Sequence, residues 1–421
     1  MIKASALYIV IIIALVIGLL CSSLIVAAYL YRIQYQKKFR QDQLENNISS
    51  GINILLNSTD TSFTREKTFS LFSNDMDSVF IQKIPWGVYD IGTIKAFAQR
   101  DTLFKSFSFA NTIDSTKWAA LYLIDEDRPF SLSGKTTIRG DAYIPKAGVQ
   151  AAYIDNKAYE GDKRFIIGTK HNSERKLPSL DEKRLKQFEQ YFTQANTGDS
   201  TLSKKDSLQN SFLRPTHVFN FKKTAKTIEN IYISGNVTLF SDTTLTIDST
   251  AVFKNIQVYA RAIIVKSGFH GSCQLFATDS IRVEQNCELS YPSCLGVLRF
   301  KSPVVNFQAK VSMGKNVSFS GLIFTYDKMD SQLKPLIIAD KNVKITGQVY
   351  SHGIVQLNDK SEIDGSVFTS RFWYKNSFTL FENYLINATI NSKALSPYYL
   401  SSGLLPVSGK KKKVLQWLEA N

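Results

Sequence analysis

The sequence predicts a mainly β protein: a parallel β-helix solenoid, a long N-terminal transmembrane-plus-amphipathic helix, and a small α+β module between them. Three observations predict it. An uncharged run fills residues 4–31. Apolar residues then return every three or four positions from 44 to 55. A short motif of alternating β-branched residues around a glycine repeats through the C-terminal half.

The helix comes first, over residues 1–57. No charge interrupts the chain from Ala4 to Tyr31, and Tyr8, Leu15, Leu20, Leu24 and Leu30 are typical of its apolar content. A helix crosses a bilayer with about 20 such residues, and the run is longer than the apolar region of a cleaved secretory signal. Arg32, Lys37, Lys38 and Arg40 follow as a basic collar at headgroup level. Leu44, Ile48, Ile52 and Leu55 then form one apolar stripe at spacings of four, four and three, the mark of an amphipathic continuation. The positive-inside rule taken alone would put the collar in the cytoplasm. The very short N-terminal tail and the envelope-like downstream sequence put it outside.

Residues 58–128 mix polar turns with aromatic and β-branched segments and read as the small α+β module. Residues 129–227 read as the first β-helix-like rungs, interrupted by a helical insertion near 179–196. There Ser179 and Glu182 fit a capping box, and Leu185, Phe188 and Phe192 share one face. Residues 196–213 read as a polar loop.

The β-helix proper is expected over 228–395. Gly140, Gly235, Gly321, Gly347 and Gly365 each sit in the motif, two residues before Ala142, Val237, Ile323, Val349 and Val367. Spacings of 18 to 26 residues fit a solenoid whose rungs are short strands, with the glycines as corners. Alternate residues point inward, so Val349 and Val367 face the core while Gln348 and Ser366 face solvent. Residues 396–421 read as a basic tail holding Lys410–Lys413 ahead of Val414, Leu415 and Trp417.

Composition narrows the function. A chain that is 44% hydrophobic and 12% aromatic buries a core. Its 51 basic and 36 acidic residues, net +15, suit an acidic partner such as an anionic lipid surface or polysaccharide. No nucleic-acid-binding module is legible, and nucleic acid is not expected as a partner. The acids Asp279, Glu284, Asp340, Asp359, Glu362 and Asp364 are isolated, although Asp340 and Asp359 lie about one rung apart. His217, His270 and His352 are dispersed, and Cys273, Cys287 and Cys294 lack the spacing of a zinc site. No phosphate-binding loop or dinucleotide fingerprint is present. The expectation is no catalytic, cofactor or metal site.

Two resemblances follow from these residues. The start Lys3-Ala4-Ser5-Ala6-Leu7, with its uncharged helix and amphipathic continuation, resembles type IV pilin-like proteins. It is most similar to minor pseudopilins whose helix lacks an acidic residue near its start. The glycine-corner rungs resemble the bactofilin-like, polymer-forming right-handed parallel β-helices. Together the resemblances imply a membrane-anchored structural or assembly protein of a bacterial cell envelope. It would be single-pass, with its globular part periplasmic or extracellular, and would act as a homo-oligomer or with pilin-like partners. The alternatives are a surface glycan-binding or glycan-cleaving β-helix, and a cytoplasmic-facing bactofilin-like polymer.

Overall fold

The computed structural model describes residues 4–58, 61–64, 67–71, 77–194, 198, 207–301 and 307–420. Lys3 and most of the polar stretch 196–206 lie outside them. The chain is mainly β with one long apolar N-terminal helix. It divides into two units: residues 1–84, 92–106 and 419–421, and residues 85–91 and 107–418.

The first unit begins with helix α1, Ala4–Asn57. Nothing breaks it: the segment has no proline, and Ser22 and Ser23 return their hydroxyls to the carbonyls of Gly18 and Leu20 at 2.8 Å. At 1.5 Å per residue it is about 80 Å long. Its C-terminal part buries Leu44, Asn47, Ile48, Gly51 and Leu55, while Ile52 is only half-buried. The buried stripe therefore passes through Gly51 where the sequence pointed to Ile52. The reason is close approach: a Cβ at Gly51 would lie 3.0 Å from an Ile94 methyl and 3.3 Å from one of Val79. Polar contacts fix the same face. Asn47 donates to Asp77 at 2.9 Å, and Arg40 donates to Asp101 at 2.7 Å.

The strands Asp77–Trp86, Tyr89–Ala98 and Asp101–Ile113 follow one another through two-residue turns. Within the first unit, Lys67–Phe69 pairs antiparallel with the first of them, while Ser408–Ala420 is a further strand, most of it in the second unit. The α component expected within residues 58–128 is thus absent among the described residues, apart from a single 3₁₀ turn at Thr61–Thr64. Residues 408–420, read from the sequence as tail, are thus a strand.

The second unit is a coil of parallel strands. In one turn, Lys344–Thr346 is a first leg, Gln348–Ser351 a second, and Ile354–Leu357 a third. Each leg pairs parallel with its counterpart one turn on: Lys344 with Glu362, Val349 with Val367, Ile354 with Arg371. The alternation predicted for the inner face produces three apolar columns. Leu289, Phe319, Ile345 and Ile363 align on the first leg, and Leu275, Leu295, Ile323, Val349 and Val367 on the second. Ile263, Ile281, Val311, Ile337 and Val355 align on the third. All are buried, and burial of each such side chain stabilises by about 1.5–3 kcal/mol. Asparagines in the left-handed region close successive turns: Asn342 donates to Asn316 at 3.2 Å, and Asn316 to Asn286 at 3.1 Å.

The order of turns departs from the sequential order expected. Residues 121–172 do not precede the turn at 207–228. They stack on the opposite end, beyond Glu362–Lys375. Ile363 pairs with Ile390, Ile390 with Ile138, and Ile138 with Ile166. Val367 pairs with Leu121, and Leu121 with Ala142. The spiral leaves the C-terminal segment near Asn391, and the segment starting at Ala120 takes it up. The physical reason is an open strand edge: the second leg after Thr389–Asn391 is missing, and Leu121–Leu123 supplies it, with Val367 N–H donating to Ala120 O at 2.9 Å.

Candidate anchor helix and outer face of the coil

Each anchor residue lies on α1. Tyr8, Leu15, Leu20, Leu24 and Leu30 are between 53% and 68% exposed, so the N-terminal half has no partner among the described residues. Ala4 begins the helix. Among the described residues α1 is the one helix long and apolar enough to cross a membrane. Of the collar, Arg32, Lys37 and Lys38 are exposed, whereas Arg40 is partly covered by its ion pair with Asp101. Tyr31, Tyr35 and Phe39 extend an exposed aromatic stripe past the uncharged run, at 71%, 63% and 62%.

The corner glycines lie in register along the coil. Gly321 pairs with Gly347, and Gly347 with Gly365. Gly235 pairs with Asn210, and Gly140 follows Arg139, which is aligned with Asn391. A Cβ at Gly140 would meet the Ser392 side chain.

The second leg's outer side carries what sequence reasoning missed. Phe240, Tyr259 and Phe276 align there, followed past Gly296 by Phe324, Tyr350, Phe368, Tyr122 and Tyr143. Tyr259 lies 5.0 Å from both Phe240 and Phe276, as ring centroids. The signal was present as an aromatic three residues after each glycine in Gly321-…-Phe324, Gly347-…-Tyr350 and Gly365-…-Phe368. Helix α2, Glu182–Gln194, covers part of this ladder with Leu185, Phe188 and Phe192. Asp181 caps α2, its carboxylate accepting from Arg184 N–H at 2.8 Å. Ser179, the expected cap, stands two residues too early.

Gln348 and Ser366 point away from the coil interior, as expected, yet both are 1% exposed. Ser401 lies over Gln348 and donates to its Oε1 at 2.8 Å. Outward on a rung is therefore not the same as solvent-facing.

The isolated acids are spoken for. Asp279 binds Arg261 at 2.6 Å, Glu284 binds Lys266 at 3.1 Å, and Glu362 and Asp364 share Lys344 at 3.5 and 3.1 Å. Asp359 binds Lys157 at 3.5 Å and accepts from Asn387, and these contacts hold its carboxyl below the usual range. Asp340 accepts from the amide of Lys341 at a turn. His270 faces Glu288 at 3.4 Å, and His352 lies tilted against Tyr326 with ring centroids 5.8 Å apart. Cys273, Cys287 and Cys294 are buried free thiols, and burial pushes Cys273 up to about 12. Among the described residues no group of three His, Cys, Asp or Glu is placed to hold a metal.

No family model and no curated protein matches this sequence. Among solved structures, the chain is similar to the competence-associated pilin ComZ from Thermus thermophilus. The identity is 10% and the TM-score 0.27, with 85% of this chain and 87% of that one covered.

Proposed function

We propose that this chain is a membrane-anchored structural or assembly component of the cell envelope, pilin-like in its helix and without catalytic activity. The observation that carries the reading is α1. Its apolar half is exposed along its whole length, and the same unbroken helix continues past the collar to bury Leu44, Ile48 and Leu55 on its own unit. Burying the exposed half in lipid removes that surface from water, with the basic collar at the headgroups. The coil fits a right-handed parallel β-helix of the bactofilin-like kind, supported by its parallel pairing and aligned corners. Its end strand Lys170–Asn172 is short and carries Lys170 and His171, features that oppose end-on pairing. Assembly with further copies or pilin-like partners is therefore assigned to α1, with the coil as the displayed part.

The test is membrane partition. Full-length protein is expected to pellet with membranes and to resist alkaline carbonate. A chain starting just before Arg40 is expected to be soluble and folded. The buried stripe sets this cut; starting at Ser58 would strip Val79 and Ile94 of their cover. Full-length protein in the soluble fraction would overturn the reading.

A further inference from the structure

We propose that a groove on the second unit binds an anionic oligosaccharide. The groove has a volume of about 390 Å³ and lies between residues 112–118, the loop 392–400 and residues 413–414. Its size is in the range of small-ligand sites. Its floor is rigid: Leu395, Tyr399 and Leu400 are buried, and the Tyr399 hydroxyl donates to Gly321 O at 3.0 Å. Trp118 forms a wall and is held in the outer-face cluster. Tyr398, by contrast, is 85% exposed, a ring that folding does not explain.

Aromatic faces beside hydroxyl groups suit a sugar ring, whose C–H face is apolar and whose rim is polar. Ser115, Ser392 and Ser396 supply hydroxyls in the lining. The charge of the rim selects among sugars. Lys413 lines the groove, and Lys117 and Lys393 adjoin Trp118 and Ser392 in sequence and are exposed. The Thr112 hydroxyl donates to the backbone carbonyl of Lys411 at 3.2 Å, which fixes this side of the groove. Asp114, the nearby acid, accepts from the hydroxyl of Thr116 at 2.7 Å and forms an ion pair with Lys117 at 4.0 Å, so Lys413 and Lys393 carry the rim's positive charge. Such a rim raises the local concentration of an anion. None of the lining residues is Asp or Glu. The groove therefore lacks the pair of carboxyl groups that most glycoside hydrolysis uses, and the proposal is of binding.

The experiment titrates full-length protein in neutral detergent with oligogalacturonate and with maltoheptaose, by calorimetry and tryptophan fluorescence. Oligogalacturonate is expected to bind at least about tenfold tighter and to weaken as salt rises. Tyr398→Ala and Lys413→Glu are each expected to weaken it about tenfold at unchanged melting temperature, since Tyr398 and Lys413 are exposed. Equal affinity for the two sugars, or unchanged affinity in both variants, would overturn the proposal. So would competition on equal terms by polyglutamate or by phosphatidylglycerol in mixed micelles with the detergent, which would mark a general polyanion surface.

Discussion

Gly347 has a φ of +145°, and a Cβ there would fall on the carbonyl oxygen of Gly321 one turn away. The left-handed conformation alone costs a non-glycine residue about 1–2 kcal/mol, and the backbone cannot step aside without displacing the neighbouring turn. Gly347→Val is expected to lower stability by more than that, read by thermal unfolding in detergent. Gln348→Lys is expected to cost at least about 2 kcal/mol, because it leaves a buried cation beside the Ser401 hydroxyl. Ser318→Lys, at an exposed position, is expected to be within about 0.5 kcal/mol of wild type. A neutral Gln348→Lys would show that residues 401–405 do not cover the coil. Parity along a strand was legible in the sequence, since it needs only alternation. Cover was not, because Ser401 lies far along the chain from Gln348.

The elements differ in what holds them. Helix α2 has a polar composition, and its tertiary contacts fix it. Phe188 lies 4.7 Å from Phe276 and 6.1 Å from Phe324, as ring centroids. On its other flank, Arg184 donates to Tyr89 O at 3.2 Å and to Asp90 at 2.8 Å, with both charged side chains nearly buried. Phe188→Ala is expected to cost about 3–5 kcal/mol, as for a buried aromatic. Arg184→Ala removes an ion-pair partner of Asp90 and is expected to speed hydrogen exchange of the amides at 86–91 more than those of the distant turns. Uniform exchange across the second unit would contradict the clamp. The helix itself was readable from Leu185, Phe188 and Phe192 at helical spacing. Its target was not, because the aromatic column exists only once the turns stack.

At the scale of the second unit, the joint layer is the decisive feature. Asn391 and Arg139 are partners on adjacent parallel strands, though remote in sequence. Ion pairs run across the same layer, from Arg371 to Glu126 at 2.6 Å and to Glu382 at 3.1 Å. Cysteines at 139 and 391 are expected to form a disulfide under mild oxidation, since in-register neighbours fall within bridging reach. Cysteines at 139 and 209 are expected not to, because Gln209 pairs with Ser234 in the turns at the far end. Non-reducing gel mobility reads both pairs, and the reverse pattern would restore the sequential order. By itself the sequence determined the long helix, its buried stripe at Leu44, Ile48 and Leu55, the glycine corners and the inward columns. Each of these follows from local periodicity, which a chain carries wherever it lies. The tertiary structure alone decided the order of the turns, the cover over Gln348 and Ser366, and Gly51 in place of Ile52. Those depend on which remote segment fills an open edge or presses on a face, and neither spacing nor composition encodes that choice.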